Sequence, residues 1–330
     1  MGLSPRKELQ ARRLIAQGLA ASAARPELSS PHEVTQHLLA LQGQTFKAGV
    51  RAIAIRVNNG QKPQDEGVLA SIDAHDIVRC WPMRGTLHFV NGEDARWLMR
   101  LCSPRVELGA SKRRPALGFA DGDFEVAHEA LNTHLLNLET GQVLERPHTY
   151  QLFTDAGIDA GEGRGPHLLR ALGGAGDIVQ LRPQGRAETF VHVDRLNISQ
   201  REVASAEALA ELGTRYLNGH GPVQLEDLCW WSYLTKKDSK KALESASNSV
   251  KLMIGGEEFY APAWQKNVTE AEMRAALRRT YKLPAFDEYL LGYSNKSFTM
   301  PDEIRHEVLT KNGLSWDFTV KNGEVVGRTV

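Results

Sequence analysis

The 330-residue chain balances 40 Lys+Arg against 40 Asp+Glu, with 42% hydrophobic and 24% charged residues. That composition excludes wholesale disorder, collagen-like repeats and coiled coils, and at roughly 150 residues per domain the length accommodates two or three units. No window approaches the roughly 18 consecutive apolar residues of a membrane helix, and the N-terminal MGLSPRKELQARRLIAQGLA interleaves charge with apolar residues, against a secretory signal. Zero net charge does not advertise a nucleic-acid partner, yet the charge is uneven. Residues 1–60 hold eight Lys+Arg (Arg6, Lys7, Arg12, Arg13, Arg25, Lys47, Arg51, Arg56) and three acids (Glu8, Glu27, Glu33), a local +5.

In chain order, Ser30-Pro31-His32-Glu33 reads as a capping box with proline at the first helical position, and Val34, Leu38 and Leu41 follow at helical spacing, which predicts a helix to about residue 41. Gln42-Gly43-Gln44 separates it from a second helical pattern over 46–57. Two β-type runs, 76–81 and 86–90, flank a hairpin signal at Pro82-Met83-Arg84-Gly85. Helices followed by a hairpin are the order of a winged-helix module. The order recurs from Asp123, with helical runs at 126–138, 149–156 and 166–172 and strands at 178–181 and 189–193. It recurs again from Ser205, with helices ending at Gly221 and covering 225–233 and 239–247, then 250–254 and 257–261 joined by Gly255-Gly256. A cap at Thr269–Glu272 opens a further helix, and the end of the chain forms a hairpin about Asn322-Gly323. The reading is an α+β chain of three tandem winged-helix modules (1–122, 123–200 and 201–330), the last carrying a β-rich C-terminal segment.

Nucleotide and metal signatures are missing. There is no G-x-G-x-x-G, P-loop, H-E-x-x-H or G-x-S-x-G, and the glycines at 172–176 lack a following lysine and read as a helix C-terminus. Neither a nucleotide cofactor nor a metal is expected. Cys80, Cys102 and Cys229 are far apart, odd in number and outside any zinc spacing, so they read as reduced thiols in a cytoplasmic protein.

LLALQGQ at 38–44, MRGTLHFV at 83–90, TRYLNGHGPVQLEDLCWWSYL at 214–234 and LPAFDEYLLGY at 283–293 together resemble the AlkZ/YcaQ family of winged-helix DNA glycosylases, in the order the family has them; residues 91–213 match in outline only. The resemblance implies excision of alkylated bases from double-stranded DNA, in some members including crosslink adducts; no cofactor is expected, and three modules in one chain make a monomer the simpler expectation. The resemblance implies that Gln42 and Gln44, at the family's Gln-aliphatic-Gln or Gln-aliphatic-Asp motif, are catalytic. Gly43 departs from that motif by removing an aliphatic packing anchor, at roughly 0.5–1 kcal/mol relative to alanine if the position is helical. Relatives are also expected to continue beyond Val325-Val326-Gly327.

Two carboxamides make chemical sense independently of the family. A guanine alkylated at N7 or an adenine alkylated at N3 already carries positive charge and leaves as a neutral base without a general acid. What remains is to place water and stabilise an oxocarbenium-like sugar, which an amide does with one acceptor oxygen and two donors. Such a site is expected to fail on uracil or 8-oxoguanine. A lesion that stays stacked would also relax the need for a flipped-base pocket. Equally, two glutamines at a helix end satisfy backbone groups.

Other candidates carry the same double reading. Thr86 and His88, two apart in a strand, share a face opposite Leu87 and Phe89; near a catalytic surface they contact phosphate or water, otherwise His88 is an ordinary core-edge histidine. Arg84 in the turn reaches phosphate or stays solvated. Lys236, Lys237, Lys240 and Lys241 line one flank of the third module's recognition helix, suited to phosphates and equally to water. Lys112-Arg113-Arg114 is a second basic cluster. Asp287 and Glu288 either stabilise a sugar cation or hold an arginine from another module, and Trp230-Trp231 either wedges into a base stack or packs in a core. Two rival functions stand beside excision: a non-catalytic DNA-binding regulator or lesion sensor, which Gly43 favours, and a protein-contact module. Salt dependence separates them, because binding through several phosphates weakens steeply with salt.

Overall fold

The computed structural model describes residues 2–310 and 313–329. It is a mixed fold, 50% helical and 17% strand. The chain divides into two compact units, Met1–Val68 with Ser205–Val330, and Leu69–Ala204.

The first unit joins the two ends of the chain. Ser4 and Ser30 cap the helices Pro5–Ala16 and Pro31–Leu38, each hydroxyl accepting an N–H of the first turn and each helix opening on proline. The second helix stops at Leu39, whose φ of +67° leaves the helical region, so it is shorter than its apolar spacing predicts. Leu41 and Gln42 are extended, and the next helix is Phe46–Ala54. From the C-terminal half come helices Ser205–His220, Leu225–Ser232 and Lys236–Ser245, and the hairpin Ser249–Ile254/Glu257–Pro262, turned by Gly255 and Gly256 at φ +62° and +86°. Thr269 and Glu272 form the expected capping box of Glu270–Arg278. The C-terminal hairpin Phe318–Lys321/Glu324–Arg328 turns at Asn322-Gly323, and a strand that the sequence pattern does not announce, Thr280–Leu283, adds to its edge. Leu14, Ile15, Leu277, Tyr281, Tyr289, Phe318 and Val320 share one core. Full burial of such a side chain stabilises by about 1.5–3 kcal/mol, so this core ties the N-terminal helix to the C-terminal sheet.

The second unit holds five antiparallel strands in the order Thr86–Asn91, Ile77–Met83, Ile178–Gln180, Thr189–His192, Leu144–Glu145. The first hairpin turns on two residues, Arg84 and Gly85, both at positive φ (+55° and +69°), and Pro82 lies within the strand where the register shifts between Cys80 and Met83. The four-residue turn expected from Pro82 is thus a two-residue turn behind a bulge. A 16-residue helix, Ala95–Ala110, tolerates Pro104 in its interior. Glycines 173 and 174 end the helix Arg164–Gly174, as the sequence implies, and their reason is packing: a Cβ on Gly173 would lie 2.3 Å from the Trp81 ring, and one on Gly174 2.2 Å from Ser103 Oγ. Trp81 in turn stacks on Phe190, 6.4 Å between centroids, within a core of Leu131, Phe153, Leu168 and Ile178.

Along the chain, one order of elements runs three times: a helix, a short extended segment, two helices and a hairpin, over 31–91, 123–192 and 205–262. In the second and third runs the short segment pairs with the last hairpin strand, Leu144–Glu145 with Thr189–His192 and Val223 with Tyr260.

Candidate active site

Glu288 is the centre of the polar interior of the first unit. It opens a four-residue helical turn, Glu288–Leu291, capped by Asp287, whose Oδ1 accepts the Tyr289 N–H at 2.9 Å. Glu288 is 1% exposed. Its Oε1 accepts the main-chain N–H of Gln42 at 3.1 Å, while Oε2 lies 3.2 Å from His220 Nε2 and accepts the Trp231 indole N–H at 2.9 Å. His220 has its other ring nitrogen 3.2 Å from the Tyr216 carbonyl oxygen. Both partners are acceptors, so each contact is made by a ring N–H. The ring stacks on Tyr216, 4.5 Å between centroids and 18° between planes. Gly292 makes this approach feasible, since a Cβ there would stand 2.5 Å from His220 Cδ2.

Asp287 is engaged just as completely. Its two oxygens take Arg56 Nη1 and Nη2 at 2.8 Å each, and Arg56 also donates to the Ala52 carbonyl and to Gln17 Oε1. Asp287 therefore holds an arginine, one of the two roles its sequence environment allows. The preceding Phe286 sits at φ +64°, a conformation that costs a non-glycine residue of order 1–3 kcal/mol. The main-chain N–H groups of Ala285 and Phe286 donate to Asp317 Oδ1 and Ser315 Oγ and hold it there. Burial pushes the phenols of Tyr216, Tyr289 and Tyr293 up, which keeps them as hydroxyl donors to the Gly292, Gly323 and His220 carbonyls.

Gln42 is buried (8% exposed), Gln44 is exposed, and Gly43 between them lies outside any helix. The helix penalty raised for this glycine therefore does not arise. Trp231 is fully buried and belongs to the interior; Trp230 is half-buried, with Lys296 Nζ 3.6 Å over its ring. The positive excess of residues 1–60 is largely paired with acids: Arg13 with Asp227 and Arg56 with Asp287 in the interior, and nearer the surface Arg12 with Glu8, Arg51 with Asp65, and Arg6 and Lys7 with Glu324. Lys236, Lys237, Lys240 and Lys241 are exposed on Lys236–Ser245, where Lys236 meets Glu226 and Lys240 meets Glu244.

The second unit carries Arg84, Thr86 and His88 on its first hairpin. Arg84 donates to His88 Nε2 at 3.1 Å, and His88 Nδ1 lies 2.9 Å from the Thr86 carbonyl oxygen. The tautomer with its proton on Nδ1 satisfies both contacts. His88 is fully buried and Thr86 partly so; Leu87 enters the unit's core and Phe89 is fully buried as well, so both faces of this strand are covered. In the basic cluster, Lys112 and Arg113 are exposed, whereas Arg114 pairs with Glu107 and stacks 3.4 Å over Phe124.

Sequence reasoning named Gln42, Asp287 and Glu288, and also Arg56 and Trp231, but not His220 and not the pairing of Arg56 with Asp287 or of Trp231 and His220 with Glu288. Their signal was present in GHG at 219–221 and WW at 230–231, both inside a quoted motif, but residue type alone does not say which buried acid each meets.

The sequence matches the family described as DNA glycosylase AlkZ-like over residues 35–329. Among solved structures, the Streptomyces sahachiroi DNA glycosylase AlkZ is similar, with a TM-score of 0.79 at 21% identity, covering 99% of this chain and 87% of that one. No curated protein sequence matches. Among the described residues, no helix is long and apolar enough to cross a membrane. With nearly the whole chain inside the family match, the protein belongs to the AlkZ-like DNA glycosylases, hydrolases of N-glycosyl bonds.

Proposed function

We propose that this enzyme excises cationic N-alkylated purines, of the N7-alkylguanine and N3-alkyladenine type and including crosslink adducts, from double-stranded DNA. The observation that carries this reading is the engagement of both acids beside the Gln42 segment. All four carboxylate oxygens of Asp287 and Glu288 accept protein N–H groups, and both residues are 1% exposed. Neither is placed to protonate a leaving base. A base that already carries positive charge needs no such proton: the C1′–N bond breaks with its electron pair passing to the base, which leaves neutral. Water adds at C1′ and its proton passes to solvent. Gln42 and Gln44 orient that water and turn carbonyl dipoles to the sugar cation. Arg84, Thr86 and the four lysines of Lys236–Ser245 contact the duplex, while His88, expected at the same surface, is fully buried and serves by holding Arg84. The threefold recurrence of helix, short strand, two helices and hairpin supports three winged-helix modules, 1–122, 123–200 and 201–330, in a cytoplasmic monomer.

The test is release of free base from a duplex with a single N7-methylguanine, comparing wild type with Gln42→Ala and Gln44→Ala at matched DNA binding. Release by wild type and loss in both variants is expected. Binding without release above the spontaneous rate, on this duplex and on a panel of cationic lesions, refutes the substrate assignment.

A further inference from the structure

We infer that Glu288 is a positioning residue for excision, its carboxylate fixing the main chain of Gln42 and thereby the carboxamide that faces the sugar. The inference rests on the proposed role of Gln42. Glu288 Oε1 takes the Gln42 N–H directly, and Oε2 is clamped by Trp231 and His220 from two different helices, so the carboxylate has one available orientation. The Asp287–Arg56 pair immobilises the residue before it. The middle of the motif is Gly43, which offers no side chain to pack, so a polar anchor on the preceding amide supplies what an aliphatic residue supplies elsewhere in the family.

An amide cannot replace this carboxylate. Three N–H groups, from Gln42, His220 and Trp231, converge on its two oxygens, and a glutamine turns an NH2 towards either the Gln42 amide or the indole in whichever way it is flipped. A merely structural group would lower stability and act on rate only through the folded fraction. A positioning group lowers the rate of the bound complex, since misplacement by about 1 Å costs about a hundredfold.

Single-turnover base release at saturating enzyme, duplex affinity and melting temperature are measured for wild type, Glu288→Gln and Asp227→Asn. Asp227 is a buried acid in the first turn of the helix that carries Trp231; its carboxylate pairs with Arg13 at 3.2 Å and accepts from Gln224 and Ser294 rather than from the groups that hold Glu288, so it calibrates the effect of lost stability. The expected result is a rate about a hundredfold down in Glu288→Gln with affinity unchanged, and a wild-type rate in folded Asp227→Asn. A Glu288→Gln rate equal to that of Asp227→Asn, or a loss confined to affinity, overturns the inference while leaving the proposed reaction intact. Absence of release by wild type overturns the proposed reaction instead, and the inference with it. Should Glu288→Gln not fold, Trp231→Phe keeps the carboxylate and removes one of its donors: a slower rate at unchanged affinity supports positioning, and a wild-type rate overturns it.

Discussion

Arg56 and Asp287 stand 231 positions apart in the chain and meet as a bidentate ion pair, 2.8 Å at each contact, with neither side chain exposed. Removing one partner of such a pair strands the other charge in the interior, at about 3–5 kcal/mol. Arg56→Leu is therefore expected to lower unfolding free energy by about that amount in urea titration. A loss in the range of a surface pair, about 0–1 kcal/mol, would show that water reaches Asp287.

His37 gives stability a pH dependence. Its Nε2 lies 2.7 Å from the Ala16 carbonyl oxygen, and burial, assisted by the nearby charges of Arg25, His220 and Arg215, pushes its pKa down from 6.5 to about 3. Between those values the unfolded chain binds the proton and the folded chain does not. The contribution is whole above pH 6.5 and is lost as pH falls towards 3, at about 1.4 kcal/mol per unit. From pH 7 to pH 5 the urea midpoint should fall, and His37→Gln, which keeps a donor for Ala16, should fall less. Equal slopes for the two proteins would exclude His37 as the source.

The exposed lysines of Lys236–Ser245 should act through salt. Lys236 and Lys240 meet Glu226 and Glu244 in the free protein, so phosphate contact by those two also breaks an ion pair. If Lys237 and Lys241 each neutralise a phosphate, replacing both with alanine lowers the slope of log affinity against log salt by up to about 2. Excision by the bound complex should be unchanged. A slope identical to wild type would mark these lysines as solvated.

Much of this protein is local and so is legible in the sequence. Caps at Ser30 and Thr269, the glycine hairpin at 255–256 and the Asn322-Gly323 turn depend on neighbours within a few residues, and each forms where the pattern places it. The glycines at 172–176 end a helix, as expected from the absent lysine. Motif residues were legible as well, because Gln42, Asp287 and Glu288 sit in segments that resemble a known family, and the family match bears out that resemblance. Less local features were misread: the helix from Pro31 is shorter than its apolar spacing, because Leu39 adopts a positive φ, and Pro82 lies in a strand instead of a turn.

That Asp287 or Glu288 holds an arginine from another module was legible as one alternative; which arginine, and which acid, was not. A sequence places Arg56 in a basic N-terminal stretch and Asp287 in an acidic couplet near the other end, and their types are compatible with a DNA surface and a catalytic acid. Only the fold, by packing the first 68 residues with the last 126, turns both away from solvent and spends each on the other. Residue chemistry by itself determined the family, the local elements and the candidate amides. Tertiary structure decided which charges remain available, because desolvation and pairing depend on neighbours hundreds of positions away.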